Sequence, residues 1–159
     1  MPGVSFIFVG KMKEAHFAGA FAEYIKRLGA YTKCSVREIP EQRLPEDPSP
    51  GEIAAALARE AREIEKAVPK GYEICALCVE GEGMTSEALA EYMRKLDSRG
   101  AGAAFIVGGS YGLDAELKRR AAKRLSMSRM TFPHHLARVM LAEQVYRAFT
   151  INAGKRYHK

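Results

Sequence analysis

The stretch FIVGGSYGLD, Phe105 to Asp114, decides how the chain is read. An apolar run stops at two glycines, a polar and an aromatic residue follow, and a third glycine precedes Asp114. A strand therefore ends in a turn and hands over to a helix. Two readings of the glycines stand side by side. They supply a tight turn that needs positive φ, or they let the backbone approach a ligand where a side chain would clash. In parallel sheets ligands sit at the carboxyl ends of strands, and Gly108 lies at such an end. The turn is not a dinucleotide fingerprint, because glycines at 108, 109 and 112 do not match GxGxxG. No GxxxxGK[ST] occurs, which excludes a phosphate-cradling P-loop.

Outward from this turn the pattern alternates. GVSFIFVG (3–10) and AAFIVGG (103–109) are continuously apolar, as strands buried on both faces should be. YEICALCV (72–79) is a third strand, running into Val79-Glu80-Gly81-Glu82-Gly83, a second glycine-rich strand end. CSVREIPE (34–41) is more polar and suits an edge, and RLSMSRMTF (124–132) holds a short fifth strand and a loop. Phe17, Phe21, Tyr24, Ile25 and Leu28 recur at helical spacing and stop at Gly29. Ser49, Pro50 and Glu52 form a capping box with proline at the first helical position, ahead of a stripe of Ile53, Leu57, Ala61, Ile64 and Val68. Thr85, Ser86 and Glu87 open a third helix that closes at Gly100. A basic helix spans Asp114 to Lys123, and Pro133 opens the last helix, to about Phe149. Five strands alternating with five helices predict an α/β fold, a mostly parallel sheet covered by helices on both faces, in one domain over 1–159.

Hydrophobic residues make up 47% of the 159 and charged residues 28%, a soluble globular balance. The apolar runs are far too short for a membrane span. Three cysteines make no disulfide framework and suit a reducing, cytoplasmic setting. The net charge of +6 is unevenly spread: from Leu117 onward 11 Lys and Arg face one acid, Glu143, whereas the earlier residues hold 14 basic and 18 acidic. Three of the four histidines share the basic end. This concentration points to a polyanionic partner rather than to an ordinary solvated helix face.

The CxxC at Cys75 and Cys78 lies on a strand, so its side chains point to opposite faces and hold no metal together. His134 and His135 diverge by about 100° on the first turn of a helix and are poor joint ligands. No HExxH or carboxylate–histidine cluster appears, and no metal is expected. His134 and Arg138, four apart, share one helix face. With Tyr157 and His158 they offer the donors and stackable rings that RNA contacts use.

VGKMKE (9–14), IVGGSYGL (106–113), LSMSRMTFPHHLARVMLAEQVYRA (125–148) and the closing YHK (157–159) together resemble the bacterial large-subunit ribosomal RNA pseudouridine N3-methyltransferases, the H type of the SPOUT class. The resemblance covers essentially the whole chain. It implies a C-terminal trefoil knot, a homodimer and S-adenosylmethionine held by the knot loops. The apolar Val139, Met140, Leu141, Val145 and Phe149 of the last helix agree with a dimer. The family's cofactor contacts fall on Leu77, Gly108, Met127, Ser128, Arg129, Met130, Thr131 and Phe132. Cys78 stands where the family carries an acid, and position 135 varies within it. The implied reaction moves a methyl group to N3 of a pseudouridine in assembled ribosomes. His134 is the candidate proton acceptor, Arg138 the candidate for stabilising the base anion or a phosphate. Lys155, Arg156, Tyr157 and His158 are the candidate RNA contacts. A ribosome-binding factor without catalysis and a small nucleotide-dependent α/β enzyme are the rival readings.

Overall fold

A computed structural model describes all of residues 1–159. Its elements run β1 (Val4–Val9), α1 (Ala15–Leu28), β2 (Cys34–Ile39), α2 (Pro50–Ala67), β3 (Tyr72–Gly83), α3 (Ser86–Ser98), β4 (Gly102–Val107), α4 (Ala115–Arg120), β5 (Lys123–Ser126) and α5 (His134–Asn152). The five strands form one sheet in the order β2-β1-β4-β3-β5, and every pairing is parallel.

The apolar runs explain the order. Every residue of β1 and β4 is buried, so these strands take the middle of the sheet. β2 is mostly exposed and sits at an edge. It stops at Ile39, short of the expected Glu41, because Pro40 has no N–H to continue the ladder.

Alternate strand residues feed two cores. Phe6, Phe8, Phe105 and Leu125 face α1, α3 and α5 through Phe21, Leu28, Leu89, Met93, Leu141 and Val145. Ile7, Val9, Ala104 and Ile106 face α2 and α4 through Ala61, Ile64 and Leu117, with Leu113 of the turn before α4. The rings of Phe6 and Phe105, register partners on adjacent strands, stack 5.9 Å apart. Helices therefore cover both faces, as the alternating pattern predicts.

Helix ends follow local chemistry. Ser49 and Glu52 complete the reciprocal capping box, with Ser49 Oγ accepting from Glu52 N at 3.1 Å. Asp114 accepts from Leu117 N at 3.0 Å and opens α4. That helix is shorter than expected, ending at Arg120, because Lys123 is already paired with β3 in the sheet. In α5, Leu141 and Val145 are core residues, which removes them from the apolar surface expected for a dimer contact.

Candidate active site

The carboxyl ends of β3 and β4 and the segment between β5 and α5 enclose a cleft of about 310 Å³. That lies at the low end of the range for small-molecule sites. Its floor is Val107, Gly108 and Gly109 at the end of β4. Gly109 and Gly112 close the turn, with Gly112 N donating to Gly109 O at 3.1 Å.

The two glycine readings separate here. Gly112 carries the positive φ, +80°, with open space where a Cβ would stand. Gly108 has ordinary φ, but a Cβ there would lie 2.4 Å from Gly112 O. Gly108 is thus required by the turn folding back on itself. Glu41 fastens the same turn from the far side of the sheet, accepting from Ser110 N at 3.0 Å.

The second wall is an irregularity in β3. Its pairing with β5 jumps from Leu77 to Glu82, both opposite Leu125, so 78–81 leave the ladder. Such a bulge re-aims side chains, and Cys78, Val79 and Glu80 line the cleft. Gly81 permits the crossing, since a Cβ there would meet Arg124 and Leu125 backbone at 2.9 Å. Ser126 locks the bulge to the closing loop: its Oγ lies 2.9 Å from the carbonyls of Val79 and Ser128, its one proton serving either.

The loop itself supplies Met127, Ser128, Met130, Thr131 and Phe132. Seven of the eight expected cofactor positions, these five with Leu77 and Gly108, therefore meet in one cleft. Arg129 is the exception: its side chain is exposed and stands outside the lining. Val79 (45% exposed), Tyr111 (47%) and Met130 (72%), all lining residues, leave an apolar rim open to solvent.

His134, at the start of α5, also lines the cleft. Burial, reinforced by the neighbouring His135 and the Arg138 guanidinium, holds its pKa below the ordinary 6.5. The imidazole is therefore neutral near pH 7 and able to accept a proton. Its neighbour His135 turns to Glu14, Nδ1 to Oε2 2.7 Å, and its ring stands edge-on to that of His134.

Arg138 does not join His134 in the cleft, although both lie on α5. Its side chain has no exposed surface and its guanidinium donates to Val9 O at 2.6 Å and Gly10 O at 2.9 Å, over the ring of Phe8. Glu38 is its carboxylate partner at 3.7 Å. It ties the end of β1 to α5 and cannot reach a substrate anion. Sequence spacing gave the shared helix side but not the depth at which the side chain is buried.

The tail is docked rather than frayed. Tyr157 OH donates to Glu143 Oε1 at 3.0 Å, and Arg147 lies over the Tyr157 ring at 4.7 Å. His158 bridges Arg147 and Glu87 at 3.1 and 2.7 Å. Tyr157 and His158 are therefore engaged, one ring face of Tyr157 being occupied, while Lys155 and Arg156 are exposed.

The two cysteines separate as expected: Cys75 is core, its thiol pushed up to about 12 by burial, and Cys78 is on the cleft wall. No group of three or more His, Cys, Asp or Glu is placed to hold a metal ion.

The structure thus has an all-parallel sheet with a cleft at its carboxyl edge, closed by the segment before the last helix. A probable methylase family protein from Haemophilus influenzae Rd KW20 is similar, with a TM-score of 0.58 over 98% of this chain and 70% of that one, at 14% identity. A probable methyltransferase from Bordetella pertussis Tohama I gives 0.57 over 92% and 95%, at 20% identity. These likenesses concern the fold.

The chain belongs to the SPOUT methyltransferase family, whose model, described as "Predicted SPOUT methyltransferase", matches residues 3–158. Among its relatives, the ribosomal RNA large subunit methyltransferase H of Bifidobacterium adolescentis is 44% identical over 157 residues, 98% of this chain and 99% of that protein. The protein of the same name from Bacillus thuringiensis is 41% identical over 157 residues, again covering 98% and 99%.

Proposed function

We propose that this protein transfers the methyl group of S-adenosylmethionine to N3 of a pseudouridine in large-subunit ribosomal RNA, acting on assembled ribosomes in the cytoplasm. The reading rests on the cleft, which gathers seven of the eight positions expected to hold the cofactor and sets His134 among them. Near full-length relatives named for methylation of large-subunit ribosomal RNA support the substrate.

The donor set fits an adenosine joined to an amino acid better than a nucleotide phosphate. The lining is largely apolar and thioether-bearing, with backbone at 108–109 and 127–132. Its lysine, Lys118, is already paired with Glu80, whose pKa that contact lowers. No unpaired cation is among the lining residues, which disfavours the nucleotide-dependent rival. Bound there, the sulfonium would supply an already activated methyl group, and the protein's task is alignment. Glycine and loop backbone fix one reactant. Neutral His134 accepts the proton that the ring nitrogen loses. Leu77 and Phe132, both half-buried, exclude water from one side.

A homodimer belongs to the same proposal. The apolar rim of the cleft and the half-buried Val139, Met140 and Phe149 of α5 are the surface left for it. The trefoil knot of the C-terminal segment is likewise inferred from the family. No helix is long and apolar enough to cross a membrane.

Labelled S-adenosylmethionine and ribosomes from a strain lacking the modification test the reading. Label should enter one pseudouridine of the large-subunit RNA. Cofactor binding without transfer to any ribosomal particle would refute the substrate assignment, and absence of cofactor binding would favour the non-catalytic rival.

A further inference from the structure

About half of the basic end of the sequence is neutralised in space. Of its 11 Lys and Arg, six have carboxylate partners: Lys118 with Glu80, Arg119 with Glu116, Arg120 with Glu65, Lys123 with Glu82, Arg138 with Glu38 and Arg147 with Glu143. Most of these acids come from the earlier, acidic part of the chain. The five without one are Arg124, Arg129 in the closing loop, and Lys155, Arg156 and Lys159 in the tail, and a second source of uncompensated charge lies in the earlier part of the chain.

The loop 10–14 between β1 and α1 carries it. Lys11 and Lys13 are exposed and make no ion pair or hydrogen bond. Met12 between them turns inward against the core, which sends its two neighbours outward. The loop is strapped to the start of α5 at several points: Arg138 to the carbonyls of Val9 and Gly10, and Glu14 to His135. His135 adjoins His134, a lining residue of the cleft, so the loop that carries the two lysines is joined to the cleft wall through Glu14 and His135. The acids that could neutralise them are occupied. Glu14 faces His135, Glu38 accepts from Met12 N at 2.8 Å and faces Arg138, and Glu41 holds the glycine turn.

We propose that Lys11 and Lys13 bind backbone phosphates of the RNA strand that delivers the target base to the cleft. The loop is held by buried Arg138 and by the Glu14–His135 contact, which fixes the backbone from which the two lysines project. Both are substrate-positioning residues and act on RNA binding, not on the cofactor. The proposal rests on the RNA-methylation reading above.

The test compares K11A/K13A with K33A/K70A, which removes two exposed, unpaired lysines beside the amino ends of β2 and β3, the opposite edge of the sheet. In K11A/K13A, KM for ribosomal substrate should rise roughly tenfold with kcat and S-adenosylmethionine affinity unchanged. The dependence of log KM on log salt should flatten by about 1.4 to 1.8, from two lost phosphate contacts. K33A/K70A should behave as wild type. If the wild type is active and both double variants share its KM and salt slope, or lose them equally, the assignment of these lysines is overturned. A fall in kcat or in cofactor affinity at unchanged KM overturns it as well. If the wild type methylates no ribosomal particle, the functional reading itself has failed, which is a distinct result.

Discussion

The glycine turn 108–112 and the C-terminal tail 155–159 were both read from sequence as binding segments, and they fare differently in the structure. The turn is made by backbone. Its lining role follows from where β4 ends, and side-chain detail alters little. The tail is made of long polar side chains, and their engagement depends on what the rest of the chain brings near. Glu87, from α3, and Glu143 and Arg147, from α5, capture His158 and Tyr157 before any RNA arrives. Backbone-built sites are legible from sequence because the strand pattern places them. Charge-built sites require the partners, which come from distant segments.

The most severe way to test the first half of that contrast is Gly108→Ala. A single methyl would lie 2.4 Å from Gly112 O, a backbone atom with little freedom to retreat. The turn must deform, and cofactor affinity should fall by more than about 100-fold, with a stability cost of about 1–3 kcal/mol. Calorimetry with S-adenosylmethionine, with a thermal melt to confirm folding, checks it. Gly112→Ala, with open space but φ of +80°, should cost only about 1–2 kcal/mol of strain and spare more of the affinity. Equal affinities for the two variants would show that close approach within the turn is not the deciding feature.

Deleting residues 155–159 probes the second half. Lys155, Arg156 and Lys159 remain exposed, so the charge of the tail is still available to RNA although two of its side chains are tied down. Methyl transfer to ribosomes should fall about tenfold or more, and the salt dependence should flatten. Cofactor affinity should stay within twofold, because no tail residue lines the cleft. Full transfer by the truncated protein would confine the tail to its docking role.

The sheet was legible because β1 and β4 are apolar throughout and β2 is not, which orders centre and edge. Most of the cleft lining followed from the family's motifs. Three features were not legible, each for the same reason. The bulge at 78–81 exists only relative to β5. Glu41 reaches Ser110 across 69 residues of sequence. Arg138 looks like a substrate ligand in a helical wheel, yet its depth is set by the carbonyls of β1. In each case the deciding contact is long-range, and local periodicity carries no record of it.

His134 gives a prediction of smaller size. Its pKa is lowered from 6.5, chiefly by burial. As pH falls below about 6.5 the unfolded chain binds the proton first, so stability falls through that window and is unaffected above it. Activity should fall on the same acid side as the neutral imidazole is lost. His134→Gln should flatten the acid arm of the stability profile and lower kcat at every pH. An unchanged acid arm would remove His134 as its cause.

The smallest expected effect lies in the docked tail. Tyr157→Phe deletes one hydroxyl, which donates to Glu143 Oε1 at 3.0 Å. Glu143 keeps both bonds from Arg147, at 2.9 and 2.6 Å, so no carboxylate is orphaned. The ring stays under the Arg147 guanidinium and against Tyr146. The cost should be that of a single exchanged hydrogen bond, about 0.5–1.5 kcal/mol. Its signature is in alkali. Burial first, and then the bond to Glu143, push the Tyr157 hydroxyl up to about 12 from its ordinary 10.0. Between those values the native state holds a proton that the unfolded chain has released, so stability declines as pH rises. Phenylalanine has no such proton. The difference in stability between wild type and variant should therefore be largest below about pH 10 and shrink towards pH 12, read by denaturant melts at stepped pH. A difference that stays constant across that range would show the hydroxyl to be free in solution, and the tail undocked.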